Sequence, residues 1–189
     1  MMKLIFLDGS GRKGSYNRKL LEAYEQLVRA TGLDFEAVYI SPGTHPVPNV
    51  TTGGKLPAKI ENYCNEVRDL AMQAHGFVIA SPEYNGGPTG GLKNLIDWMT
   101  QPNGEHPKGN PFDMRPAVLL AASPGALGGI KGLQVMRLIM GHLRSLLMPE
   151  QIALGNCKTA FDDEGRLLPG LAEDLAKKSA EQLAQTLLS

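Results

Sequence analysis

Apolar positions recur along the chain at two spacings, and their alternation predicts the fold. Leu4 to Leu7 form a short apolar run that stops at Asp8 and glycines, as a buried strand would. Ser15 then stands where an N-cap belongs, ahead of Leu20, Leu21, Tyr24, Leu27 and Val28 at helical spacing, with Gly32 at the C-terminal end. Phe35 to Ile40 predict a second strand, closed by Ser41, Pro42 and Gly43, and the Pro-, Gly- and Thr-rich residues up to Pro57 predict a loop. Pro57 suits a helix start, and Ile60, Cys64, Val67 and Ala71 make the apolar stripe of a helix that runs up to Gly76.

The same alternation continues. Phe77 to Ala80 predict strand three, Leu92 to Met99 a short helix ended before Pro102, and residues 102–114 a long loop. Ala117 to Ala122 predict strand four, and Ile130, Leu133, Met136, Met140 and Leu143 the next helix. Ile152 to Leu154 fit strand five, and Leu171, Leu175, Leu183 and Leu187 a terminal helix. Strands alternating with helices imply one α/β domain over residues 1–189, a doubly wound parallel sheet of five strands ordered 2-1-3-4-5 with helices on both faces. Ligands of such sheets bind beyond the C-terminal strand ends, at the switch point between strands one and three. The Gly-rich loops after strands one, three and four converge there.

Composition narrows the partners. The 189 residues carry 19 basic and 19 acidic side chains, a balance that argues against a nucleic-acid or membrane-surface partner. The apolar run of MMKLIFLDGS is too short for a signal peptide or a spanning helix. Cys64 and Cys157 lie far apart without CxxC spacing, so a reducing cytoplasm is the expected home. His45, His75, His106 and His142 show no metal spacing, and no metal is expected.

The first loop, DGSGRKGSYN, contains a GxGxxG in Gly9, Gly11 and Gly14. A dinucleotide site wants an acid at the end of strand two, but Asp34 and Glu36 lie at its start. A P-loop wants Lys-Ser or Lys-Thr after Gly14, where Ser15-Tyr16 stand. What remains is Ser10, Arg12, Ser15 and Asn17 at a helix N-terminus, suited to one terminal phosphate. A plain N-cap beside a solvated arginine is the other reading of the same residues.

Three stretches, GSGRKGSYN (Gly9–Asn17), PEYN…GGLKNLIDW (Pro82–Trp98) and ASPGALGG (Ala122–Gly129), resemble the NADPH-dependent FMN reductases in order and spacing. That flavodoxin-like group includes quinone, chromate and azo-dye reductases. The resemblance implies FMN at the strand ends, its phosphate on Ser10, Arg12, Ser15 and Asn17, with Tyr16 also a cofactor contact. The ring would lie along Pro82, Glu83, Tyr84 and Asn85, with Ser123 and its neighbours on the far side. Gly11 departs from the family pattern, which has a larger apolar residue there. The loop after strand two lacks an acidic stretch, and the 102–114 loop is longer than usual; these bear on acceptor preference and subunit contacts.

The expected activity is hydride transfer from NADPH or NADH through FMN to a small-molecule acceptor: a quinone, flavin, azo compound or oxidised metal ion. One shared flavin face implies ping-pong kinetics, and the cofactor carries the chemistry, so no catalytic side chain is assigned. Glu83 is expected to position or to meet a second subunit; resemblance implies a homodimer or homotetramer. Trp98 and Met99 are expected in core or subunit contacts, Lys93 and Asp97 as an exposed pair, Cys64 as a buried thiol. The loop 102–114 is expected to shape access to the flavin or a subunit contact. Two other readings remain: a flavodoxin-like electron carrier, against which the balanced charge argues, and a fold relative binding another phosphorylated ligand.

Overall fold

A computed structural model describes residues 1–50, 56–102, 107 and 109–189. Five parallel strands, β1 (Met2–Asp8), β2 (Phe35–Ile40), β3 (Gly76–Ala80), β4 (Pro116–Ala122) and β5 (Leu146–Leu154), form one sheet in the order β2-β1-β3-β4-β5. Between and after them run α1 (Tyr16–Ala30), α2 (Ala58–Met72), α3 (Gly90–Thr100), α4 (Ile130–His142) and α5 (Leu171–Leu188).

Alternation along the strands divides the core. Leu4 and Phe6 of β1 join Leu20, Leu21 and Tyr24 of α1 and Leu183 of α5 on one face. Ile5 and Leu7 join Val67 of α2, Leu95 of α3 and Met136 of α4 on the other. Both faces are buried, which is why β1, β3 and β4 read as continuous apolar runs rather than alternating ones.

Most expected boundaries hold to within a few residues. Ser15 caps α1, and Gly32 follows its end with φ 85°. Strand β5 differs, beginning six residues before the expected Ile152. Its register slips between Ala117 and Leu119, and Pro149 falls in that irregularity. A proline there hides the strand pattern, yet on an outer strand its missing N–H costs no ladder bond. A short 3-10 turn, Cys157–Thr159, was not expected either.

The loop 102–114 needs a correction. Its residues 103–106 and 108 lie outside the described ones. The described part packs at the end of the sheet opposite the three glycine-rich loops, so it does not shape access to them. Phe112 is fully buried against Phe77, at the start of β3, with ring centroids 4.5 Å apart. Asn110 Nδ2 donates to Leu143 O, just past the end of α4, at 2.9 Å. Lys93 Nζ meets Asp97 Oδ1 at 2.6 Å on a partly exposed face. Met99 and Cys64 are buried, and burial pushes the Cys64 thiol up. Trp98 Nε1 donates to Pro48 O at 2.6 Å, tying the loop after β2 to α3.

Candidate functional site

The first loop is preset by its own short side chains. At the end of β1 the buried Asp8 accepts the Ser10 N–H on Oδ1 at 2.9 Å. Ser10 Oγ accepts the Arg12 N–H at 3.3 Å, and Ser15 Oγ accepts the Asn17 N–H at 3.1 Å. Lys19 is the first residue of α1 whose N–H reaches a backbone acceptor, Ser15 O at 3.1 Å. Among the described residues the N–H groups of Tyr16 and Arg18 are therefore left over, as are the hydroxyl protons of Ser10 and Ser15. Among the described residues no carboxylate pairs with the exposed Arg12. Asn17 instead serves as a tie between elements. Its side-chain amide donates to Ala122 O at 3.0 Å and accepts the Ala122 N–H at 2.9 Å. It binds α1 to the end of β4 and keeps one N–H in reserve.

The second loop is stitched to the first. Gly9 N–H donates to Ala80 O at 2.7 Å, and Thr89 Oγ1 donates to Gly9 O at 2.6 Å. Thr89 also caps α3 by accepting the Leu92 N–H at 3.2 Å. A Cβ at Gly9 would sit 2.9 Å from Ser81 Oγ and 3.0 Å from Ala80 O, so only glycine permits this approach. Beyond Pro82 the chain makes a two-residue hairpin in which Tyr84 and Gly87 exchange both backbone bonds, at 2.9 and 3.0 Å. Its corner, Asn85 (φ 52°) and Gly86 (φ 79°), is left-handed at both positions, the turn that Asn-Gly prefers. Tyr84 stands 64% exposed beside it. The Glu83 carboxylate turns to α4, where Oε2 accepts the Gly132 N–H at 3.1 Å.

The third loop closes the ring. Ser123 N–H donates to Leu154 O at 3.0 Å, and Ser123 O accepts the Cys157 N–H at 3.2 Å. Together the loops enclose a cavity of about 300 Å³. Ser10, Arg12, Ser15, Tyr16, Asn17, Pro82, Glu83, Tyr84 and Ser123, all expected site residues, line it; Ala122 and Pro124 complete it. Asn85, also expected, sits outside the lining on the exposed turn. A roomier groove of about 490 Å³ runs between α3 and α4, but it is mostly apolar and lies away from the loops. The small cavity is the better site because Ser10, Arg12, Ser15 and Tyr16, which carry the leftover donors, line it.

Sequence reasoning missed Asp8, Thr89 and Gly132. Thr89 carried a signal, a threonine three residues before Leu92 at a helix start. Gly132 carried none, because its role is a contact across 49 positions.

Residues 2–159 match the model of the NADPH-dependent FMN reductase family. The chain belongs to that family. An NAD(P)H-dependent FMN reductase of Pseudomonas aeruginosa is 32% identical over 184 residues, covering 96% of this chain and 93% of that protein. A quinone reductase of Pseudomonas putida is 31% identical over 161 residues, covering 84% of this chain and 81% of that protein. Among solved structures, a flavoenzyme NAD(P)H:(acceptor) oxidoreductase from Paracoccus denitrificans superposes with a TM-score of 0.74 over 100% of this chain and 96% of that one. At 20% identity that likeness speaks for the flavodoxin-like fold alone. As an FMN reductase the chain is an oxidoreductase, with FMN as cofactor and NAD(P)H as electron donor.

The residues present fit that cofactor. Leftover helix N–H groups, two hydroxyl donors and a guanidinium with no carboxylate partner among the described residues suit a phosphate dianion. The hairpin exposes a tyrosine ring and short backbone at a cavity mouth, as a flat ring with a polar edge requires.

Proposed function

We propose that FMN lies in the 300 Å³ cavity with its phosphate against Ser10, Arg12, Ser15 and Asn17 and Tyr16 beside it. Its ring then runs along Pro82, Glu83, Tyr84 and Asn85, with Ser123 closing the far side. The observation that carries this reading is the convergence of unspent donors from the start of α1 on the cavity that the second-loop hairpin borders. Bound FMN supplies the chemistry, taking hydride from NADPH or NADH and passing electrons to a quinone, free flavin, azo compound or oxidised metal ion. Arg12 and the two hydroxyls anchor the charged end. The Tyr84–Gly87 hairpin holds the ring end with backbone and leaves one side of it open to solvent.

One open side means that nicotinamide and acceptor take turns, which is a ping-pong scheme. Double-reciprocal plots with a quinone should be parallel, and intersecting lines would sink the shared-face reading. An absorbance spectrum of the purified protein, before and after anaerobic NADPH, tests the whole proposal. A bound flavin band that bleaches is expected; a colourless protein that takes up no FMN at micromolar concentration would defeat it. The chain acts as a homodimer or homotetramer, as the family resemblance implies, and in the cytoplasm, as its two cysteines without CxxC spacing suggest; its mass in solution checks the assembly. No helix among the described residues is long and apolar enough to cross a membrane.

A further inference from the structure

Helix α4 begins without a cap of its own. Its N-cap, Gly129, is left-handed at φ 88° and has no side chain to offer the first turn. The missing acceptor comes from Glu83, whose Oε2 takes the Gly132 N–H at 3.1 Å. A carboxylate at a helix N-terminus is favoured by the helix dipole as well as by the hydrogen bond. We propose that Glu83 is a positioning residue, hanging the second-loop hairpin from the first turn of α4 and so setting where the ring of the cofactor rests.

Two further observations bear this out. The hairpin touches α4 at both of its strands: a Cβ on Gly132 would lie 3.3 Å from Glu83 Cβ and 3.3 Å from Gly87 O. The absent side chain is what lets the hairpin seat so closely. Next, Tyr84 and Gly87 are locked to each other by two backbone bonds, so the hairpin shifts as one piece when its seat shifts. Glu83 thus lines the cavity with Pro82 and Tyr84 while its carboxylate is spent on α4. The inference rests on the FMN placement proposed above.

The test compares three variants with two ligands. FMN and riboflavin share the ring, so a displaced hairpin weakens both by the same factor, whereas damage at the phosphate end weakens FMN alone. Glu83→Ala should lose about tenfold for both, because binding must then reseat a freed hairpin that the wild type holds in place. Glu83→Gln keeps an acceptor oxygen and should stay within about threefold of the wild type. Gly132→Ala lies outside the cavity and favours the helix by propensity. It should nevertheless weaken both ligands by about threefold or more and alter the visible circular dichroism of bound FMN. A merely stabilising residue would change the melting temperature and neither of those readouts. Should Glu83→Ala fail to fold, Gly132→Ala and Glu83→Gln decide.

Unchanged affinities and spectrum in Gly132→Ala would overturn the inference. So would a loss confined to FMN, or a Glu83→Gln as weak as Glu83→Ala. Wild-type protein that takes up no FMN would instead fail the placement on which the inference stands.

Discussion

At the N-terminal edge of the sheet, the Arg115 guanidinium donates to Ala71 O at 3.0 Å and to Met72 O at 2.9 Å, finishing the end of α2. Burial pushes its pKa down, and those carbonyls are its compensation. At the C-terminal edge Arg12 is exposed, with no carboxylate partner among the described residues. Phe112 and Phe77 fill the first edge with packed rings, and Asn110 closes the end of α4. At the second edge the loops satisfy one another through Gly9, Thr89, Asn17 and Glu83. There the fold holds itself with backbone and short side chains, which leaves charged and hydroxyl donors unspent. One edge uses its side chains for stability; the other leaves open the donors proposed above to hold the FMN phosphate.

The largest effect expected is at the first edge. Phe112→Ala removes a fully buried ring and leaves a cavity, at a cost of about 3–5 kcal/mol. Urea unfolding should show that loss while the folded protein keeps its affinity for FMN. A variant destabilised by under about 1 kcal/mol, or one that loses FMN selectively, would erase the division between the edges.

Arg12→Ala, at the second edge, should do the reverse. On the placement proposed above it removes a charged hydrogen bond worth about 1.5–3 kcal/mol, or roughly 10- to 150-fold in FMN affinity. Riboflavin lacks the phosphate, so its affinity should barely move, and neither should the melting temperature of the free protein. Ser15→Ala should show the same selectivity more mildly, although it also removes the cap of α1. An unchanged FMN-to-riboflavin preference in Arg12→Ala would mean that the phosphate lies elsewhere.

The two edges were not equally legible in the sequence. Period and punctuation placed β1 to β4 and every long helix, because both faces of the sheet are buried and its turns are marked by Gly and Pro. Strand β5 was shortened in that reading by Pro149, which an outer strand with a slipped register tolerates. The site loops stood out because few other arrangements concentrate glycine, serine and a single arginine after a buried strand. Their cross-ties did not, since Asn17 to Ala122 and Glu83 to Gly132 join residues 105 and 49 positions apart. The Asn85-Gly86 corner was readable, as that dipeptide favours a two-residue hairpin. The place of the described part of the 102–114 loop was also implied: a connection from the end of a helix to the start of a parallel strand lies opposite the C-terminal strand ends.

The smallest effect concerns Asp8, which shares the second edge yet carries the wrong sign for a phosphate. Burial raises its carboxyl pKa above the ordinary value, with the Ser10 N–H and Arg18 opposing the shift and Glu22 adding to it. The folded chain therefore holds this proton to a higher pH than the unfolded chain does. Between the two titrations the unfolded state binds fewer protons, so stability falls as pH rises through that window. Asp8→Asn removes the penalty while its amide oxygen can still accept the Ser10 N–H. Its melting temperature should exceed that of the wild type at pH 7, and the two should converge at a pH below the ordinary carboxylate range, where both states hold the proton. FMN should bind roughly two- to threefold more tightly, the scale of a screened repulsion between charges, with riboflavin unchanged. A gain in melting temperature that is the same at both pH values would show that the carboxyl is not the cause. FMN binding no tighter than in the wild type would place the phosphate out of reach of Asp8, and the second edge would lose the charge that most nearly spoils it.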